Sequence, residues 1–192
     1  STENYSSSET NFRPKSSHRT VFSGTARQTV SFEDPTASYF GALTLENDST
    51  EGIVFATPVG SSGALRSDGA TASGALSGFK LEEDAYINGD LLMGTARNNT
   101  VNLNGHTLTL NGNLVQANGF VQPSGGELLV SGDYRLQSPM GSDNEYGSSR
   151  GRLAMIDEKD LVKVGGSFVI DSLFASSECG GNVFCEGTLE IK

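Results

Sequence analysis

The chain of 192 residues carries 13 basic and 23 acidic side chains, and its formal net charge of -10 repels a phosphate backbone and argues against nucleic-acid binding. Hydrophobic residues make up 35 %, and no run approaches the ~18 apolar residues of a membrane span, so no crossing helix is expected. The 24 glycines and many small polar residues suit short strands joined by turns, and at this length they fit one all-β domain over 1–192.

The chain opens on Ser1 rather than Met, and the expectation is a processed or excised piece, with any leader lying outside it. Arg13, Lys15, Arg19 and Arg27 read as solvated strand faces, not as an anion site. "HRTVFSGTARQTVSFEDP" (18–35) predicts two strands around SGTARQ, and "FGALTLENDSTEGIVFATP" (40–58) predicts two more around ENDSTEG. Residues 60–78 are rich in Gly, Ala and Ser, as in a loop or a tightly stacked rung with little interior room. These first 80 residues are less regular than the remainder of the chain.

Farther on, apolar residues alternate in "TVNLN" (100–104), "TLTLN" (107–111), "ELLVSG" (127–132), "LVKVGG" (161–166) and "TLEIK" (188–192). "RLAMIDEKDL" (152–161) clusters its apolar residues at the start, which predicts a strand and an acidic turn instead of a helix. Residues 138–151 read as a polar loop inserted into one turn.

Four segments share one pattern: "YINGDLLM" (86–93), "LTLNGNLVQ" (108–116), "LLVSGDYRLQ" (128–137) and "VKVGGSFVI" (162–170). In each, an apolar strand meets a Gly, then a small polar residue, then the apolar start of the next strand. The glycines are Gly89, Gly112, Gly132 and Gly166, in steps of 23, 20 and 34 residues. A period near 20 predicts a single-stranded β-solenoid, or parallel β-helix, whose turns bend at one corner. The alternative is an antiparallel β-meander or sandwich, for which the two Asn-Gly pairs, Asn104-Gly105 and Asn111-Gly112, would be hairpin turns. In the solenoid, glycine would supply a positive φ at the corner, and Asp90, Asn113 and Asp133 would bond to nearby backbone. Asn104-Gly105 has no evident counterpart in the other rungs.

Chemistry is sparse. Asp90 and Asp133, two rungs or roughly 10 Å apart, approach the separation of an inverting glycosidase pair. Asn/Asp exchange at this corner fits turn chemistry instead, so no catalytic residue is assigned. For calcium, Asp143, Asn144 and Glu145, or Asp157, Glu158 and Asp160, lack the EF-hand spacing and read as solvated acidic turns; no metal or cofactor is expected. The histidines are His18 and His106, and neither a GxSxG elbow nor a phosphate-binding loop occurs. Tryptophan is absent, and Tyr146 in the inserted loop is the candidate glycan contact, with Tyr134 expected to point inward. Cys179 and Cys185 flank GGNVF and either close a local disulfide, implying an oxidising compartment, or remain free thiols.

The ordered phrases "HRTVFSGTARQTVSFEDPTASYFGALTLEN", "VNLNGHTLTLNGNL", "GGELLVSGDYRLQS", "GRLAMIDEKDLVKVGGSFVIDS" and "GTLEIK" resemble repeat units of large secreted or surface proteins of Gram-positive bacteria. The resemblance covers nearly the whole chain and implies about one repeat unit of an extracellular β-helical protein, with no catalytic residues to carry over. The Cys179–Cys185 segment departs from it, where a Ser/Tyr/Gly-rich loop would be expected. The expected function is a non-catalytic structural or adhesive module, extracellular or on the cell surface. Its expected partners are neighbouring repeats or a surface glycan. The alternatives are a carbohydrate-binding module and, behind it, a polysaccharide-degrading enzyme.

Overall fold

A computed structural model of the chain describes residues 4–7, 11–15, 17–68, 77–141, 145–171 and 182–192. The chain winds into a parallel β-solenoid of about six turns, with no helix among the described residues. Three stacks of strands form its faces. The first face stacks β1 (Asn4–Ser7), β3 (Gln28–Phe32), β5 (Ile53–Phe55), β8 (Ser77–Leu81), β11 (Asn99–Asn102), β14 (Phe120–Gln122), β18 (Arg152–Met155) and β21 (Asn182–Cys185). The second stacks β2 (Arg19–Gly24), β4 (Ala42–Asn47), β7 (Leu65–Ser67), β10 (Leu91–Met93), β13 (Leu114–Gln116), β16 (Tyr134–Pro139) and β20 (Phe168–Ile170). The third stacks β6 (Val59–Ser61), β9 (Ala85–Ile87), β12 (Thr107–Leu110), β15 (Glu127–Val130), β19 (Leu161–Val164) and β22 (Thr188–Ile191). A short strand, β17 (Tyr146–Ser148), pairs antiparallel with β16.

Pairing register excludes the meander. β12 comes directly after β11 in sequence, yet it bonds in parallel to β9 and β15, with Leu110 opposite Ile87 and Val130. Alternation then decides which side chains enter the interior: Leu108 and Leu110 are buried, while Thr107 and Thr109 turn outward. Equivalent positions stack one turn above another, as in Leu43, Leu65, Leu91, Leu114 and Tyr134, all buried. Each buried aliphatic side chain contributes about 1.5–3 kcal/mol. Repetition of one shape up the column lets short strands of three or four residues hold a continuous core.

Polar residues also enter the interior, each with a partner. Gln116 donates to the Gly119 and Arg152 carbonyls at 3.0 and 3.1 Å and accepts from the Tyr134 hydroxyl at 2.7 Å. Asn99 and Ser67 bond to each other from different turns, Ser67 Oγ donating to Asn99 Oδ1 at 2.7 Å. A buried group left unpaired would cost about 1–3 kcal/mol, so these bonds hold the register as well as the fold. Burial of the Tyr134 ring raises its phenol far above the ordinary range, so it stays protonated.

The Gly/Ala/Ser-rich segment 60–78 carries β7, the end of β6 and the start of β8, and its residues 69–76 lie outside the described residues. The inserted segment 138–151 holds β17, with 142–144 likewise outside. Among the described residues, no helix is long and apolar enough to cross a membrane.

Candidate functional site

The corner from the third face into the second holds the recurring glycines. Gly89, Gly112, Gly132 and Gly166 stand on successive turns, since Leu91, Leu114, Tyr134 and Phe168 just beyond them share one register. None of the four has a left-handed φ, which corrects the expected reason for glycine. Close approach demands it instead: a Cβ on Gly112 would lie 2.6 Å from the carbonyl of Gly89. Gly132 and Gly166 meet the preceding glycine's carbonyl group in the same way, at 2.8 and 2.9 Å. Each of them also donates its N–H to that glycine's oxygen at 2.9 Å. The column extends below Gly89 through Gly63 to Gly41, because Leu43 and Leu65 continue the same register. Gly-Ala-Leu at 41–43 and 63–65 marks these two turns, the same tripeptide also occurring at 74–76 outside the described residues, and the stretch 41–65 is therefore more regular than expected.

Beside the glycines runs a side-chain ladder. Asp90 Oδ1 accepts from the Asn113 backbone N–H at 2.6 Å and from its Nδ2 at 3.2 Å. Asn113 Oδ1 accepts from the Asp133 N–H, and Asp133 Oδ1 from the Ser167 N–H, both at 2.8 Å. A second column links Asn111 Nδ2 to Asn88 Oδ1 at 2.8 Å. Asp133 also takes a 2.6 Å bond from Arg135 Nη2. The Ser167 N–H, and then the Arg135 guanidinium, hold its carboxyl below the usual aspartate range. A glycosidase general acid needs the opposite shift, and Asn113 separates the two carboxylates. The ladder's chemistry is that of an acceptor joining one turn to the next.

Asn104-Gly105 marks a different corner, from the first face into the third. Both residues have positive φ, 52° and 86°, and the His106 N–H donates to the Leu103 carbonyl at 2.9 Å. Two consecutive left-handed residues define a type I′ turn. The next turn repeats it at Ser124-Gly125 with φ of 53° and 85°, so the pair does have a counterpart. Sequence comparison misses it because serine replaces asparagine in a left-handed position.

Tyr146 is half-buried in β17, with the Arg135 guanidinium 5.1 Å from its ring centre, which engages one face in a cation–π contact. His106 Nδ1 lies 3.9 Å from Asp84 Oδ1, and His18 packs edge-on against Phe12. Asp160 is buried, not solvated as expected: its carboxylate accepts from the Gly125 and Asp157 N–H groups at 2.6 and 3.1 Å. The buried carboxylate thus ties the acidic turn to the turn beneath it, while Asp157 and Glu158 remain exposed. Asp143 and Asn144 lie outside the described residues, and among the described ones no three His, Cys, Asp or Glu gather to hold a metal. Cys179 also lies outside them; Cys185 ends β21 opposite Met155.

The two ends of the coil differ in their covering. At the N-terminal end Phe12 packs on Phe32 and Phe40, and the Tyr39 N–H donates to the Phe12 carbonyl at 2.8 Å. At the other end Ile170 stands opposite Leu136, and Ile191 opposite Val164. Both partners are buried, yet Ile170 is 48 % and Ile191 52 % exposed. These are interior positions by register, with apolar side chains open to water. Comparison of the chain with protein families, curated proteins and solved structures finds no match to any of them.

Proposed function

We propose that this protein is a stacking module of a large secreted or cell-surface bacterial protein, in which β-solenoid units extend one another as a stiff rod that spaces or displays adhesive parts. The observation that carries this reading is the last turn, where Phe168, Leu189, Ile170 and Ile191 continue interior columns with no turn above them among the described residues. Covering Ile170 and Ile191 would bury roughly half a side chain each, about 1 kcal/mol apiece. β20, β21 and β22 end their stacks, as β1 and β2 do at the opposite end, and all of these run parallel to their neighbours. One unit's last turn therefore meets another's first turn in the right strand direction, a head-to-tail contact that does not close on itself. The resemblance to repeat units of Gram-positive surface proteins supports the same reading, and neighbouring repeats are then the partners.

Sedimentation velocity over a broad concentration series tests it. The mean mass should rise with concentration, and Ile170→Asp with Ile191→Asp should hold the chain monomeric. A wild-type chain that stays monomeric throughout refutes the stacking reading.

A further inference from the structure

A second feature lies on the outside of the third face and does not depend on stacking at the ends. The alternation that buries Ala85, Ile87, Leu108, Leu110, Leu128 and Val130 turns Tyr86, Thr109 and Leu129 outward, with Lys163 above them in the same register. These side chains line a trough of about 390 Å³. Its other wall is the corner column of Asn111 and Ser131, and Lys192 closes it at the top. Tyr86 is 48 % exposed and lines the trough.

We infer that this trough binds a linear acidic glycan, with one sugar ring against Tyr86 and a carboxylate farther along the chain at Lys163. Three observations on the lining point to that chemistry. Tyr86 and Leu129 offer apolar faces to the C–H side of a pyranose, as an amphipathic tyrosine does at wet interfaces. Thr109, Asn111 and Ser131 place hydroxyl and amide groups beside them, where ring hydroxyls need partners. The charged side chains of the lining are those of Lys163 and Lys192, with no acidic side chain among them, on a chain whose net charge is -10. Lys163 lies 3.6 Å from Glu190, both about 45 % exposed, and such a surface pair is too weak to withhold the ammonium from a ligand. Successive rungs are about 4.8 Å apart, so Tyr86 and Lys163 are separated by about 14 Å. That rung spacing is close to the advance of one pyranose along an extended chain, so the trough spans a short run of sugars.

Isothermal titration of the full chain with oligogalacturonate, a cello-oligosaccharide and polyglutamate tests the inference. Oligogalacturonate should bind, more weakly as salt rises. Tyr86→Ala should weaken it about tenfold and Tyr86→Phe leave it nearly unchanged, while Lys163→Gln should remove most of the salt dependence. Tyr86 and Lys163 point outward, so unaltered circular dichroism of these variants will show that folding is not the cause. The inference is overturned if oligogalacturonate does not bind, if Tyr86→Ala binds as the wild type does, or if the cello-oligosaccharide or polyglutamate binds equally well.

Discussion

The two ends of this coil are built from the same kind of rung but differ in the layer over the interior. At the N-terminal end the aromatic rings of Phe12, Phe22, Phe32 and Phe40 interlock, with Phe40 5.1–5.8 Å from the other three centroids and fully buried. At the C-terminal end Ile170 and Ile191 occupy equivalent inward positions and remain half open to water. In a solenoid a side chain gains its burial from the turns above and below it as well as from its own strand. Inward direction alone is therefore not burial, and the cost of losing a side chain should depend on its height in the stack.

The largest break in this comparison should come from Phe40→Ala, which removes a buried ring touching three others. We expect a loss of about 3–5 kcal/mol in denaturant unfolding. Next in size is Gly112→Ala in the middle of the corner column. The added Cβ collides with the Gly89 carbonyl, and a loss of about 1–3 kcal/mol is expected although the φ there is ordinary. Ile191→Ala, at the bare end, should cost under about 1 kcal/mol in dilute solution, because half the side chain is already wet. A loss as large as that of Phe40→Ala would end the comparison.

The smallest effect concerns pH. Backbone donation from Ser167, and then Arg135, lowers the Asp133 carboxyl below the ordinary aspartate value of 3.8. The ionised form thus adds stability that is fully present above that ordinary value and is lost as pH falls through the lower native one. Asp133→Asn should flatten this part of the acid limb and change little at neutral pH, since Asn113 fills the same place one turn below. Thermal melts at pH 7 and pH 3 check the sign.

Much of the coil is legible in the sequence because its signals are local. Period-two alternation places β11, β12, β15, β19 and β22, and the apolar-Gly-polar-apolar phrase singles out four corner positions that stack in the structure. The reason for those glycines is not legible, because contact with a carbonyl one turn away leaves no mark on the neighbouring residues. Asp160 misleads for a similar cause: "IDEKD" looks solvated until Gly125, 35 residues earlier, is seen to donate to it. Tyr146 stands out as the tyrosine of a polar loop, and its ring proves to be engaged by Arg135. Tyr86 is inconspicuous within "YINGD", although its place between Ala85 and Ile87 already turns it outward. The open last turn is hidden too, since "TLEIK" alternates like any interior strand, and exposure depends on the turn stacked above it.

Amide hydrogen exchange at β22 tests the stacking account most directly. The Thr188 and Lys192 N–H groups donate to the Asp160 and Val164 carbonyls beneath, so by alternation those of Leu189 and Ile191 face the open edge. Exchange at Leu189 and Ile191 should be fast in dilute protein and slow as concentration rises, while interior amides such as that of Leu110 stay protected throughout. Exchange at the edge that is independent of concentration, and identical in the Ile170→Asp, Ile191→Asp variant, would contradict it.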